Sequence, residues 1–276
     1  MAKSEPIERA AHPPFSLALL GLLTALSGCP KSTAPAPPPV QMVAPEAPQN
    51  PTAAPEAPTQ PAVPEPRIVL DGQEVAASWD DGDTFSTPNP SGGKRLRARM
   101  DGYNTLESYG PVHRWGDWTA AELYALAKAS GERARSEVWT CTTQEGSGGY
   151  GRIRVDCPDL RNALLSEGLA TVFAVDTPPR AEDLAAQQAA VEAGVGMWAK
   201  GAPEGLITSL HSLDEKPDQD STYNRILDMA TGMADKHSHS ATYAPCEEVC
   251  DQGSCMVYVP YKQRYGPEKA ECLKLP

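Results

Sequence analysis

The prolines of this chain are concentrated in one stretch. Residues 31–66 contain 12 of the 28 prolines in the 276-residue sequence, and a segment this rich in proline cannot build a helix interior or a sheet core. Its Ala-Pro-Glu-Ala-Pro repeats also offer little apolar surface to bury. Residues 30–66 are therefore predicted to be an extended tether, which as polyproline II would reach on the order of 100 Å. The folded part is expected to begin near Arg67.

The first 29 residues predict export. An apolar run over residues 15–26 follows two basic residues, and it is shorter than the roughly 20 residues that a transmembrane helix needs. The run ends in Leu26-Ser-Gly-Cys29, which resembles the lipobox of bacterial lipoproteins. The resemblance implies an acylated Cys29 and, with Pro30 in place of the inner-membrane retention signal, a lipid anchor in the outer membrane. The alternative is an ordinary secretory signal with a chance cysteine.

From Arg67 onwards, apolar segments bounded by turn residues predict short strands and a few helices. The expected strands are 67–70, 75–79, 84–87 and 95–103, with a hairpin of 137–143 and 152–157. The expected helices are 119–134, which starts at a capping box, then 161–167 and 180–193, which both stop at glycines. This order predicts an α+β domain over residues 67–200 with a five-stranded β-barrel of the OB type. The pattern alone leaves other α+β arrangements open.

Five short motifs follow one another in the same region. They are Trp79-Asp-Asp-Gly-Asp-Thr-Phe85, Arg99-Met-Asp-Gly-Tyr-Asn-Thr-Leu-Glu107, Tyr150-Gly-Arg152, Asn162-Ala-Leu-Leu-Ser-Glu-Gly-Leu-Ala170 and Gly194-Val-Gly-Met-Trp198. Their order and spacing resemble the staphylococcal nuclease, or thermonuclease, family over about residues 67–200. Each motif is weak by itself, and the combination carries the resemblance.

The resemblance implies a calcium-dependent phosphodiesterase. The implied roles are Ca²⁺ ligation by Asp83, Asn104 and the Thr105 carbonyl, support of these ligands by Asp81, water activation by Glu107, and phosphate binding by Arg99 and Arg152. These residue types suit the reaction. Ca²⁺ takes oxygen ligands, a carboxylate can activate water, and a guanidinium group meets two phosphate oxygens at once.

Two departures from the family pattern affect the implied metal site. Asn104 replaces an aspartate, which removes one negative charge, and Leu106 replaces a proline that would restrain the neighbouring backbone. Residues 170–177 also lack the tyrosine pair on which some members stack a base, so no nucleotide preference is implied. Taken singly, the Asp81-Gly-Asp83 segment has the simpler interpretation of a turn, and Arg152 that of a solvated strand residue.

The net charge of −12 disfavours a protein that coats nucleic acid through many phosphate contacts. An enzyme that meets nucleic acid at one local basic site is compatible with it. The basic residues expected to guide a strand there are Lys94, Arg95, Arg97 and Arg99.

The cysteines indicate disulfides in an exported protein. Removing Cys29 from the count of seven leaves an even number. Cys141 and Cys157 lie on the two arms of the predicted hairpin, so a cross-strand disulfide is expected between them. The other four permit three pairings or, as an alternative, a tetrahedral zinc site. They are Cys246, Cys250, Cys255 and Cys272.

Residues 201–276 form the expected small, disulfide-rich C-terminal extension. We predict a helix over 221–233 and a strand over 256–265. The strand region suits either a disulfide-stapled cap or an edge that stacks bases and binds phosphates through Tyr258, Tyr261, Lys262, Arg264 and Tyr265. Between the two elements, His237 and His239 suit either a transition-metal site or a solvated linker.

Together these features predict an exported, lipid-anchored, Ca²⁺-dependent nuclease that acts on single-stranded DNA or RNA. The alternative is a non-catalytic nucleic-acid-binding or envelope scaffold protein that keeps the fold. The sequence indicates no protein partner.

Overall fold

A computed structural model describes residues 66–274 of the chain. The predicted export signal, Cys29 and residues 30–65 of the predicted tether lie outside the described residues, so these predictions stay predictions. Between residues 66 and 274, no helix is long and apolar enough to cross a membrane.

This part of the chain contains three α-helices and fifteen strands. The helices are α1 (Ala120–Arg135), α2 (Pro158–Ser166) and α3 (Ala181–Ala193). The strands are β1 (Arg67–Leu70), β2 (Gln73–Ala76), β3 (Ser78–Trp79), β4 (Thr84–Thr87), β5 (Leu96–Met100), β6 (Tyr103–Thr105), β7 (His113–Trp115), β8 (Trp139–Ser147), β9 (Ile153–Asp156), β10 (Ala170–Val172), β11 (Gly205–Ser209), β12 (Thr222–Asp228), β13 (Ala234–His239), β14 (Glu248–Asp251) and β15 (Ser254–Val257).

Seven strands form a nearly closed, barrel-like sheet in the order β2-β1-β8-β9-β5-β4-β3. The α+β class is confirmed, and the sheet has seven strands where five were predicted. One reason is that the strand expected over 75–79 is two strands, because β2 pairs with β1 and β3 pairs with β4. The interior is filled by buried side chains that include Ile68, Phe85 and Tyr103, together with Leu160 and Leu164 of α2.

The helix signals of the sequence are mostly accurate. The capping box that starts α1 is present, with Thr119 and Glu122 bonded reciprocally. Gly194 ends α3 in the left-handed conformation at φ 61°. α2 begins three residues earlier than predicted, at Pro158, because proline at the first helical position needs no hydrogen-bond acceptor for its nitrogen.

The helix predicted over 221–233 is wrong, because residues 222–228 form the central strand β12. The buried residues of β12 include Thr222, Asn224 and Ile226, which alternate with less buried ones and therefore follow the period of a strand. Strands β11 and β13 pair with it on its two sides. The polar stretch considered as a linker is thus mainly β13, an ordered edge of this sheet.

The C-terminal strand is also shorter than predicted. β15 ends at Val257, and after Pro260 the chain turns into a short 3₁₀ helix, Tyr261–Gln263. β15 pairs with β14 on one side and with β7 on the other. The C-terminal extension therefore shares a sheet with the segment that follows Glu107.

The cysteines of the described part form disulfides. The predicted cross-strand bridge between Cys141 and Cys157 is confirmed. The other four pair as Cys246–Cys272 and Cys250–Cys255. Glu248 brings a carboxylate within 4.8 Å of the sulfurs of Cys250 and Cys255, but sulfurs joined in a disulfide are not thiolate ligands. Cys246, Cys250, Cys255 and Cys272 therefore form two disulfides and not the tetrahedral zinc site considered as the alternative.

Candidate active site

The Asp81-Gly-Asp83 turn between β3 and β4 is packed into the protein. Asp81 Oδ1 accepts the N–H of Asp83 at 3.1 Å, which closes a side-chain turn. Gly82 is needed here because a Cβ atom would lie 2.8 Å from Cγ2 of Thr105. The Gly82 carbonyl also accepts the buried Tyr103 hydroxyl at 2.7 Å. These contacts hold the turn against β6, which a simple exposed turn would not require.

Asp83 is the centre of a hydrogen-bonded cluster and is 2% exposed. Its Oδ1 accepts the Thr84 hydroxyl at 2.9 Å and Nη1 of Arg99. Its Oδ2 accepts the Thr105 N–H at 2.8 Å and the Thr105 hydroxyl at 3.2 Å. Asn104 Oδ1 accepts Nη2 of Arg99, and Asn104 Nδ2 donates to the Thr105 carbonyl at 2.7 Å. The structure thus brings together the three proposed metal ligands and one proposed phosphate ligand.

Arg152 approaches Arg99 through a tight turn. A Cβ atom on Gly148 would lie 2.8 Å from the Cβ atom of Arg99, so glycine lets the 148–152 turn come this close to β5. Arg152 Nε donates to the carbonyls of Gly148 and Gly149 at 3.1 and 3.2 Å. Burial and the neighbouring Arg99 guanidinium lower the pKa of Arg152. Two cationic groups therefore face one region, as phosphate binding would require.

Glu107 is anchored by a residue that the sequence analysis missed. Its backbone N–H donates to Nε2 of His113 at 3.2 Å. His113 is 4% exposed, and burial lowers its pKa to about 4, so the ring is neutral and Nε2 can accept. His113 lies six residues after Glu107 and belongs to no recognised motif. Its contact with Glu107 depends on the position of β7 in the folded chain, which the sequence does not indicate.

The carboxylates of the site are held close to one another. Burial raises the pKa of Glu107, and the charge of Asp83 adds to this effect, while the guanidinium groups of Arg264 and Arg99 oppose it. Burial also raises the pKa of Asp81 well above its usual range, with further contributions from Asp83 and Glu107. The site therefore concentrates negative charge in a partly buried place, and its oxygen atoms are of the type that hard divalent cations take.

The remaining predicted residues lie around this centre or away from it. Lys94 is exposed, Arg95 donates to the Ser86 carbonyl at 2.9 Å, and Arg97 donates to Asp80 at 3.2 Å. Of this basic cluster, Arg99 alone bonds to Asp83.

The two histidines of β13 have different partners. His237 Nδ1 lies 3.3 Å from Asp251, and His239 Nε2 lies 3.4 Å from the Tyr243 hydroxyl. The ring of His239 also packs against that of Tyr243 at 5.3 Å. These contacts give each histidine its own neighbour.

No protein-family model matches the chain, and a sequence search of curated proteins finds no match. The functional argument therefore rests on the geometry of Asp83, Arg99, Asn104, Thr105 and Glu107. These residues combine oxygen donors, a guanidinium group and a partly buried carboxylate at one end of β5 and β6.

Proposed function

We propose that this protein is a Ca²⁺-dependent nuclease of the staphylococcal nuclease type, which hydrolyses phosphodiester bonds in single-stranded DNA or RNA. The observation that carries the proposal is the hydrogen-bonded cluster of Asp83, Arg99, Asn104 and Thr105 beside Glu107. The nearly closed sheet, with α1 inserted before β8 and two further helices after β9, supports an OB-type barrel.

The chain's own residues divide the chemistry between them. Arg99 and Arg152 bind phosphate oxygens and offset the charge that develops on them. Glu107 takes a proton from the attacking water. Its backbone is held by His113 at 3.2 Å, which keeps the carboxylate in position relative to the guanidinium groups. Arg99 bonds to Asp83 and Asn104, and phosphate would compete with them for the same guanidinium group.

The donor set consists of oxygens of the type that a hard cation takes, and a cation would compete with Arg99 for Asp83 and Asn104. The side-chain oxygens of Asp83 and Asn104 and the carbonyl of Thr105 would hold it, and Ca²⁺ tolerates such irregular oxygen coordination completed by water. Burial and the charges of Asp83 and Glu107 raise the pKa of Asp81, and a cation at this place would favour its ionised form. A bound cation would supply charge neutralisation at the phosphoryl group. Because Asn104 is neutral and also bonds to Arg99, we expect weak Ca²⁺ binding.

The test is a cleavage assay on the full-length protein with denatured DNA and RNA, in Ca²⁺ or in EDTA. Glu107→Gln is expected to lower the rate by about 10²- to 10⁴-fold, because it removes the general base. Glu132→Gln, an exposed position on α1, is the matched control and should leave the rate unchanged.

Two outcomes count against this proposal. Equal cleavage by the wild type and Glu107→Gln would reject Glu107 as the base. Absence of cleavage by the wild type with any divalent metal would favour the non-catalytic scaffold.

The metal assignment has its own test. Asn104→Asp should lower the Kd for Ca²⁺ in a calorimetric titration, because it adds a negative charge to the ligand set. An unchanged Kd would remove Asn104 from that set.

Export and lipid anchoring at Cys29 are part of the same proposal. The three disulfides support an oxidising compartment, and the outer membrane is the proposed site of attachment. Cys29→Ala should move the protein from the membrane fraction to the soluble fraction of cells. Unchanged fractionation would reject lipidation.

A further inference from the structure

The C-terminal extension reaches the immediate neighbourhood of Glu107. Tyr109 follows Glu107 by two residues, so their Cα atoms lie within about 7 Å of each other. The guanidinium carbon of Arg264 lies 4.8 Å from the centroid of the Tyr109 ring, and the Tyr265 ring packs edge-on to it at 6.2 Å. Two side chains of the C-terminal extension therefore pack against Tyr109, close to the residue proposed as the general base.

This placement is fixed by covalent and buried contacts. Leu273 packs so closely on Gly110 that a Cβ atom there would lie 2.5 Å from Cδ2 of Leu273. The neighbouring Cys272 is joined to Cys246. Arg264 itself is oriented by a bond from its Nε to the Val259 carbonyl at 3.0 Å. These contacts tie the turn around Arg264 to the segment that follows Glu107.

The same turn presents two tyrosine rings to solvent. Tyr261 is 71% exposed and Tyr265 is 61% exposed, and their ring centroids lie 6.3 Å apart with the planes at 69°. A base can therefore stack on the face of one ring and meet the edge of the other. Tyr258 is different, because it is buried and its hydroxyl donates to Glu215 at 2.7 Å. Of the three tyrosines considered from the sequence, two are therefore available to a ligand and one is not.

Groups of both charge signs surround these rings. Partial burial and the charge of Glu107 raise the pKa of Tyr265, while the Arg264 guanidinium opposes this shift. Arg264 is itself held over Tyr109. Stacking on an aromatic face does not require a charge, so the exposed rings suit a nucleobase.

We propose that Tyr261 and Tyr265 form a stacking subsite for one unpaired nucleobase next to the phosphate that is cleaved. This inference rests on the proposed function and names the part of the substrate that the C-terminal extension contacts. A base in a duplex is stacked between its neighbours and cannot lie on these rings. The subsite therefore selects single-stranded nucleic acid, and a stacked base fixes the position of the adjoining phosphate.

The experiment measures binding of a labelled single-stranded oligonucleotide by fluorescence anisotropy, with full-length protein carrying Glu107→Gln so that the probe stays intact. Adding Tyr261→Ala and Tyr265→Ala should raise the Kd by about 5- to 100-fold, the usual loss on removing a base-stacking ring. Tyr261→Phe with Tyr265→Phe should keep the wild-type Kd, because stacking needs the ring and not the hydroxyl. Tyr124→Ala, on the surface of α1, is the matched control.

A blunt duplex of the same sequence separates stacking from general attraction, since its Kd should change less than twofold in the alanine variants. Three outcomes would overturn the subsite. The alanine variants could bind the single strand with an unchanged Kd, the phenylalanine variants could lose as much affinity as the alanine variants, or the protein could bind no single strand. Tyrosine-dependent binding without cleavage by the wild type would retain the subsite and reject the nuclease. Cleavage that depends on Glu107, together with an unchanged Kd in the alanine variants, would retain the nuclease and reject the subsite.

Discussion

Two clusters of arginine and carboxylate side chains lie in the barrel-like part of the chain, and they differ in how their charges are paired. The paired cluster comprises Arg161, Arg180, Asp156 and Asp183. Arg161 donates to Asp183 at 2.9 Å and also to Asp156, and Arg180 donates to Asp156 at 3.0 Å. Burial opposes the charge of Arg161, but its bonds to the two aspartates prevail and raise its pKa. These charges stabilise one another.

The site cluster comprises Asp81, Asp83, Arg99, Glu107 and Arg152. Arg99 bonds to Asp83, but like charges are also held close to one another here. Burial and two neighbouring carboxylates raise the pKa of Asp81, and burial with Arg99 lowers that of Arg152. Such an arrangement costs folding free energy, and proteins keep it where chemistry needs it. The difference separates a cluster that supports the fold from one that is proposed to act on a substrate.

The largest effect on stability is expected from the paired cluster. Arg161→Met leaves Asp156 and Asp183 buried without their main cationic partner, which should lower the free energy of unfolding by about 3–5 kcal/mol. Urea denaturation of the full-length protein measures this. Arg97→Met removes an exposed ion pair with Asp80 and should cost less than about 1 kcal/mol. Equal losses in the two variants would break the distinction between the clusters.

A smaller effect concerns His113, which holds the backbone of Glu107. Its pKa in the folded protein is about 4, against 6.5 for an exposed histidine, so the unfolded chain binds a proton more readily. Stability from this group is complete above pH 6.5 and should fall by about 3 kcal/mol as the pH drops to 4. His113→Gln keeps a hydrogen-bond acceptor and should show a shallower decline in urea denaturation over this range. An identical decline would assign the acid sensitivity to other groups.

The smallest change should have the opposite sign. Asp81→Asn keeps the oxygen that accepts the Asp83 N–H and removes a charge that burial and two carboxylates disfavour. At pH 7 in EDTA it should stabilise the protein by on the order of 1 kcal/mol, while nuclease activity falls. The raised pKa means that the wild type gains stability as the pH falls and Asp81 takes up a proton. The two proteins should therefore converge in acid, and destabilisation by Asp81→Asn would place Asp81 with the paired cluster.

Local signals explain which elements the sequence predicts well. β4 has the predicted bounds, and α1 starts directly after its N-cap Thr119 because the capping box satisfies the first N–H groups whatever the surroundings are. The disulfide between Cys141 and Cys157 follows from two alternating arms that pair as a hairpin. Each of these signals is contained within a few residues or within one hairpin.

Long-range contacts explain what the sequence does not predict. The sequence predicts a helix where β12 lies, because polar residues such as Thr222 and Asn224 occupy the buried positions of the strand and hide its alternation. The motif spacing identifies Asp83, Arg99 and Glu107 as a group. The spacing contains no sign that His113 bonds to Glu107, or that the charge of Arg264 in the C-terminal extension opposes the rise in the Glu107 pKa.

The pairing of β7 with β15 has a consequence for the order in which the molecule folds. Arg114 in β7 bonds to Glu248 at 2.8 Å across 134 residues of sequence, and β15 lies later still. A chain is synthesised from its N-terminus, so the barrel strands can pair long before this partner exists. Closing so long a loop is also a slow step. The segment after Glu107 therefore gains its sheet partner only after β15 has been synthesised, and a nascent chain carries the barrel before it carries a finished site.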